Sequence, residues 1–221
     1  LPSPPEHITW IADEHRAYWN SHNTIYYGDI NAPGSRPASM SAGNDPVIGL
    51  CGGFGTLFVI TPGKLTTYWK YWSQKYVFNL TDSFYGITAC SVVDEDTIAL
   101  VGEKYLGAIL LLRWKQGITT KLDVPFSLGA NQISVSKGVA IVTAGQSNSG
   151  YSWTCYRGML MNMKSPTTQA WNLDRTTPLA IGITSNVARD LFVATPGWGV
   201  AKFILGSSTW LKVLDINTGG I

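Results

Sequence analysis

The sequence predicts an all-β protein assembled from one four-strand unit used repeatedly. Short runs rich in β-branched and aromatic residues are bounded by Gly, Pro, Asn or Asp, the pattern of strands and tight turns. These runs recur in register: Leu57, Ile98, Val139 and Leu191 occupy equivalent positions, 41, 41 and 52 residues apart. No segment carries a long apolar stripe at helical spacing. Composition agrees, since only 14% of the 221 residues are charged while 23 are Gly and 9 are Trp. That balance suits strands and polar turns better than long solvent-facing helices.

Residues 1–7 hold three prolines and read as an extended lead-in. Short strands are expected at Ile8 to Ile11, Arg16 to Trp19 and Thr24 to Tyr27, separated by His, Asn and Asp. Pro33 to Pro46 has no periodicity and reads as a loop or linker. From Val47 the rhythm is regular. The first unit has strands at Val47 to Leu50, Thr56 to Ile60, Leu65 to Trp69 and Tyr76 to Leu80, with Gly52-Gly53-Phe54-Gly55 as a turn. The second has Gly86 to Ser91, Thr97 to Val101, Ala108 to Trp114 and Thr119 to Val124. The third has Gln132 to Val135, Val139 to Thr143, Trp153 to Met161 and Gln169 to Leu173. The fourth has Ala180 to Thr184, Leu191 to Ala194, Val200 to Leu205 and Trp210 to Ile216. Glycine follows each second strand (Gly63, Gly102, Gly145, Gly197), and a Leu-Asp pair marks the fourth strands at Leu122-Asp123, Leu173-Asp174 and Leu214-Asp215.

A four-strand unit of roughly 40–50 residues is the mark of a propeller blade. From Val47 to Ile216 the chain resembles a β-propeller repeat protein. There is no Trp-Asp dipeptide closing the units, and Ser207-Ser208-Thr209-Trp210 lacks the Asp and Gly of a sialidase-type Asp-box, so the resemblance names no subfamily. It implies about five four-stranded blades in one domain. Residues 1–46 are then an irregular segment with a partial blade, completed by the C-terminal strand, and residues 47–221 supply four blades. A two-sheet β-sandwich is the alternative; it accommodates the strand spacing but not the 41-residue period.

A net charge of +2 without a basic stripe argues against nucleic acid as a partner. The longest apolar run, Ala108 to Leu112, is far shorter than the ~20 residues of a membrane-spanning helix, and no charged-then-apolar leader opens the chain. Cys51, Cys90 and Cys155 match neither a zinc pattern nor a disulfide framework; they read as buried apolar cysteines, with at most one bridge. Asn79-Leu80-Thr81 is a glycosylation tripeptide that matters only in a secreted eukaryotic protein. His7, His15 and His22, near Asp13, Glu14 and Asp29, fit no metal spacing and read as exposed loop residues. Asp94-Glu95-Asp96 reads as turn chemistry and Gly52-Gly53-Phe54-Gly55 as no phosphate loop, so neither a metal nor a cofactor is expected.

Blade geometry would place every turn after a second strand, and every connection between units, on one end of the molecule. That end would gather Tyr105, Tyr151, Trp153 and Trp198 with the polar Asn131 and Asp82. Aromatic rings beside hydrogen-bonding groups suit a sugar, which offers an apolar CH face and hydroxyls, and they also suit a protein partner. Trp114, Trp171 and Trp210 lie within strands and read as packing, as does the Tyr68-Trp69-Lys70-Tyr71-Trp72 cluster. No nucleophile can be placed beside a base, the six arginines are scattered, and no pair of carboxylates is selected by spacing. The expected function is therefore a non-enzymatic binding or attachment propeller, an extracellular or virion-type protein recognising a glycan or cell-surface receptor. The alternatives are an assembly propeller contacting other proteins and a propeller-fold glycoside hydrolase. Oligomerisation is left open. Trp198→Ala is expected to keep the fold, by thermal melting, and to weaken ligand or partner binding; an unfolded variant would sink that reading.

Overall fold

The computed structural model describes residues 5–11, 14–32, 34–69, 73–80, 86–102, 108–123, 130–136, 139–148, 152–162, 168–170, 182–185, 191–195, 199–204 and 209–214. Among them are twenty strands and no α-helix, arranged as five four-stranded sheets, each with its strands adjacent in chain order. The first sheet holds β1 (Ile8–Ile11), β2 (Arg16–Ser21), β3 (Thr24–Asp29) and β4 (Ala38–Ser41). The second holds β5 (Gly49–Gly53), β6 (Thr56–Thr61), β7 (Lys64–Trp69) and β8 (Ser73–Asn79). The third holds β9 (Ile87–Val92), β10 (Thr97–Gly102), β11 (Ala108–Arg113) and β12 (Ile118–Asp123). The fourth holds β13 (Ala130–Ser136), β14 (Val139–Asn148), β15 (Ser152–Asn162) and β16 (Thr168–Ala170). The fifth holds β17 (Gly182–Ser185), β18 (Leu191–Thr195), β19 (Gly199–Ile204) and β20 (Thr209–Leu214). Neighbours pair antiparallel, as the registers Leu50↔Val59, Val142↔Met159 and Val193↔Ala201 illustrate.

The all-β expectation holds, with differences at three places. The linker expected over Pro33 to Pro46 contains β4, so residues 8–41 supply all four strands of the first sheet. Ala-Ser-Met-Ser has one apolar side chain of any size, and its strand character comes from pairing with β3 (Ile25↔Met40, Tyr27↔Ala38), not from its own pattern. The C-terminal strand β20 pairs with β19 and does not complete the first sheet. Gly52 and Gly53 belong to β5, and the turn is reduced to Phe54 and Gly55. Both turn residues have positive φ (48° and 65°), as a two-residue hairpin with the right-handed strand twist requires.

The two glycines of β5 serve packing. β5 runs beside β1 and beside β9, the first strands of the adjoining sheets. A Cβ on Gly52 would lie 2.8 Å from Cγ1 of Ile11, and one on Gly53 would lie 3.3 Å from Val92. Successive residues of a strand face opposite sides, so Leu50 and Gly52 point to the first sheet while Cys51 and Gly53 point to the third. On the third-sheet side Cys51 forms a disulfide with Cys90 of β9, Cα to Cα 5.8 Å, 39 residues away. This corrects the expectation of free buried cysteines. Both half-cystines are buried, at 6% and 8% exposure, but their separation is close to one repeat, which puts them at matching places in neighbouring sheets. The side chain of Cys155 lies outside the described residues.

The second sheet is consequently apolar on both faces. Every residue of β6 is buried. Leu57 and Val59 join Leu50, Ile11, Tyr18 and Ile25 in one core, with Tyr68 packed against it. On the opposite face Phe58 meets Trp114 edge-on, centroids 5.7 Å apart at 76°, and Tyr76 meets the same indole at 5.7 Å and 69°. Trp114 is 3% exposed, which bears out its reading as packing. Each such edge-to-face pair contributes about 0.5–1.5 kcal/mol beyond area burial. β10 repeats the two-faced pattern, buried from Ile98 to Gly102.

The chain divides into two compact units, Leu1–Leu100 with Leu111–Thr119, and Val101–Leu110 with Thr120–Ile221. The glycine contacts, the disulfide and the Trp114 cluster belong to the first. In the second, β13 lies beside β17, and β14 and β15 form a long hairpin from Val139↔Asn162 to Asn148↔Ser152. A cross-link closing a loop of 39 residues stabilises by about 4 kcal/mol on chain-entropy grounds. Replacing Cys51 and Cys90 together by Ser is predicted to lower unfolding free energy by about 2–4 kcal/mol in urea titrations; an unchanged midpoint would mean the bridge carries no stability.

Candidate functional site

The first sheet differs from the second in burying only one of its faces. On the buried face lie Ile11, Tyr18, Asn20 and Ile25. The register places the other set of side chains in three rows across the strands. Ile8, Trp19, Tyr26 and Ser39 form one row. Trp10, Ala17 and Gly28 form the next, and Ser21, Thr24 and Ser41 the third. None of these residues is buried; Ile8 is 56% and Trp10 40% exposed. Trp19 and Tyr26 stack at 6.1 Å and 18°. The Trp19 indole lies against Gly28, whose Cβ position would be in ordinary contact with the ring at 3.6 Å. The result is an aromatic ledge above the low pair Ala17 and Gly28, with hydroxyls at its outer edge.

Hydrogen bonds on the far side of the sheet hold the ledge in place. Asn20 is wholly buried, so its amide must find partners inside the protein. Its Oδ1 accepts from the His7 backbone N–H (3.0 Å), and its Nδ2 donates to the Glu6 carboxylate (2.9 Å) and to the His22 carbonyl (3.2 Å). Backbone bonds from Glu6 N to Asn20 O and from Asn20 N to His7 O complete the clamp. It ties the lead-in to β2 and thereby sets where β1 delivers Ile8 and Trp10. Burial lowers the His7 imidazole pKa, only partly countered by Glu6. His7 is thus half-buried, unlike the exposed residue expected, whereas His15 and His22 are exposed in turns with positive φ.

Lower on the same buried face, the Tyr18 hydroxyl donates to Glu14 (2.5 Å) and its ring stacks on Tyr27 at 6.0 Å. The Arg16 guanidinium sits 5.6 Å over the Tyr27 ring. Burial raises the Tyr18 phenol pKa, reinforced by the bond to Glu14 and opposed by Arg16. The bond to Tyr18 in turn raises the Arg16 pKa.

The residues expected at the loop end fall largely outside the described residues: Tyr105, Tyr151, Trp198 and Asp82 lie there entirely, with Trp171 and Lys70 to Trp72. For Trp153 and Asn131 only the backbone is described. Trp153 pairs with Ser147, and Asn131 is the extra residue where the β13–β14 register shifts. The acidic trio forms the turn between β9 and β10, where the Asp96 N–H donates to Asp94 Oδ1 (2.9 Å) and Asp96 pairs with Lys115. Lys115 also lies 5.4 Å over the Trp114 ring. Among the described residues no three His, Cys, Asp or Glu side chains are grouped to hold a metal ion, and no helix is long and apolar enough to cross a membrane. The aromatic row of the first sheet was missed because its residues lie in the segment that reads as irregular; the alternation in Tyr18-Trp19-Asn20 and in Ile25-Tyr26-Tyr27 was the available signal.

No family model and no curated protein matches the sequence. Solved structures do match. Hydrazine synthase of Kuenenia stuttgartiensis superposes with a TM-score of 0.64 at 9% identity, over 96% of this chain and 67% of that one. The extracellular domain assigned to a hybrid two-component system of B. thetaiotaomicron superposes with a TM-score of 0.63 at 11% identity. That match covers 98% of this chain but only 29% of the other, so this chain spans under a third of that protein domain's length. Such likeness shows a shared arrangement of antiparallel sheets; with 1062 matching chains, the fold by itself selects no activity.

Folding keeps Tyr18 protonated to higher pH than in the unfolded chain. Its contribution is therefore complete below the ordinary phenol pKa of about 10 and is lost as pH rises beyond that. Burial raises the Tyr68 pKa too, and it acts in the same window. Unfolding free energy is predicted to fall above about pH 10, and Tyr18→Phe to reduce that slope without abolishing it, Tyr68 supplying the remainder. Urea titrations across the alkaline range check both.

Proposed function

We propose that the chain is a non-enzymatic binding module of β-propeller architecture, which engages a glycan or cell-surface receptor through aromatic side chains that include the exposed Trp10 of its first sheet. The observation that carries the binding reading is the aromatic group of the first sheet, where Trp10 is 40% exposed and the half-buried Trp19 and Tyr26 stack, on a sheet whose other face is core. Strands fix the rings, so little ordering entropy opposes contact. The propeller reading is supported by the repeated four-strand order, by the 41-residue spacing, and by β5 running beside β1 and β9 while β13 runs beside β17. A sandwich gives no reason for first strands to adjoin first strands.

Binding is preferred to hydrolysis because a glycosidase needs two carboxylates across a bound sugar. Among the described carboxylates, Glu6 is bonded to Asn20, Glu14 to Tyr18, Asp29 to the Asn31 N–H and Asp96 to Lys115. An extracellular or virion-surface location is part of the proposal, supported by the disulfide, since such bridges persist chiefly in oxidising compartments. The test is surface binding by the Trp10→Ala/Trp19→Ala double variant, with folding controlled by melting temperature and an intact disulfide. The double variant is expected to lose binding to cells or a glycan array by about tenfold or more. Undiminished binding, or a wild-type protein that binds neither and is recovered as a stable assembly broken by the double variant, would replace this reading with the assembly one.

A further inference from the structure

We infer that the Cys51–Cys90 bridge is a redox lock: external thiols and disulfides exchange with it only when the contact between the second and third sheets opens. Thiol–disulfide exchange requires a thiolate to reach one of the two sulfurs, so access sets its rate. Both half-cystines are buried, at 6% and 8% exposure.

The cover over the bridge is made of backbone and apolar side chains fixed on strands. Cys51 pairs with Phe58 of β6, which is itself buried and meets Trp114 of the third sheet edge-on. Two residues along the same face of β5, the Cβ position of Gly53 lies 3.3 Å from Val92. Strand alternation puts Val92 on the same face of β9 as Cys90. In β10, beside β9, Ile98, Ala99 and Leu100 are wholly buried. The bridge thus lies between an aromatic contact and a close backbone approach, and both join the same two sheets. Turning one surface side chain aside does not uncover it; β5 and β9 have to part. Such local opening costs free energy, up to the full stability of the unit where core contacts break. The attacking group is also an anion, and entry among apolar side chains would desolvate it.

The exchange balances with the two cysteines and an external reagent alone. In reduction, a dithiol attacks Sγ of one half-cystine and releases the other as a thiolate, which takes up a proton. Its second thiol then closes on the first, freeing the remaining cysteine, so two electrons pass from the dithiol to the bridge. Formation is the reverse, with a low-molecular-weight disulfide as oxidant that leaves as two thiols. The same cover acts in both directions, because a chain that folds with Cys51 and Cys90 reduced buries both thiols away from the oxidant. The redox state is therefore set while the two sheets are apart and kept once they close.

Excess dithiothreitol at fixed pH, followed by alkylation and peptide mapping that separates Cys51 and Cys90 from Cys155, reads cleavage of the bridge directly. The folded protein is expected to be cleaved at least about a hundredfold more slowly than the urea-unfolded chain. Val92→Ala, which removes cover beside the bridge, is expected to speed cleavage by about tenfold while circular dichroism still reports a folded protein. Ile118→Ala, at an exposed position of the third sheet, is expected to leave the rate unchanged. The comparison with urea needs no variant, so it decides the matter even where Val92→Ala fails to fold. Cleavage of the folded protein at the unfolded-chain rate would overturn the lock. Slow cleavage that a folded Val92→Ala leaves unchanged would overturn the parting of β5 and β9 as its route.

Discussion

The close approach of β5 to the first strands of both adjoining sheets is the constraint on which the first unit depends. Backbones this near leave no volume for a side chain at Gly52 and little at Gly53, whose Cβ positions meet Ile11 and Val92. Strand alternation then divides the sheet's residues between two neighbours, Leu50 with one and Cys51 with the other. Everything built on β5 inherits that division. β6 must be buried throughout, Phe58 must find aromatic partners, and Trp114 must close the cluster from the third sheet. The disulfide acts at the same point, joining two strands already held in register, and so restricts the unfolded chain with little rearrangement of the folded one.

The first sheet buries one set of its side chains more fully than the other. It shares one face with the second sheet, and its sequence relaxes from continuous apolar runs to alternation: β2 reads half-buried and buried by turns. The buried set is secured by polar means as well as apolar ones. Asn20 and Tyr18 sit within the core yet find partners in Glu6, His7 and Glu14. Buried polar groups of this kind add uniqueness when fully paired, because any shift in register would strand them. The Trp19 and Tyr26 rings on the other face are thus mounted on a network that tolerates little movement.

Much of this was legible in the sequence, and the exceptions have physical reasons. In the second and third sheets the strands were readable because strands buried on both faces, such as β6 and β10, need dense apolar runs, and turns between them need glycine. β4 was not, since Ala38-Ser39-Met40-Ser41 is a strand only through the backbone partners that β3 supplies. Gly52-Gly53 was misread as a turn because a sequence cannot distinguish glycine required by φ from glycine required by a neighbour's approach. The disulfide was readable in principle: a separation of 39 against a period of 41 places Cys51 and Cys90 at equivalent sites in adjacent units. Trp10, Trp19 and Tyr26 were overlooked for the opposite reason. Aromatics scattered over three short strands form a surface only once the register aligns Trp19 with Tyr26.

A flat sheet face imposes its own terms on a ligand. Pockets enclose most of a small molecule's surface, whereas a ledge such as Trp19 and Tyr26 reaches one side of a ring and leaves the other in water. Rigidity partly offsets the smaller contact, because rings fixed on strands lose little freedom on binding. Affinity at a single face is therefore modest, and useful attachment depends on several contacts made together. Linked or clustered copies convert later contacts into intramolecular ones and can raise avidity by about 10²–10⁴ without any new interaction. The attachment role proposed for this chain thus requires the aromatic group to be presented more than once to a surface that repeats the ligand.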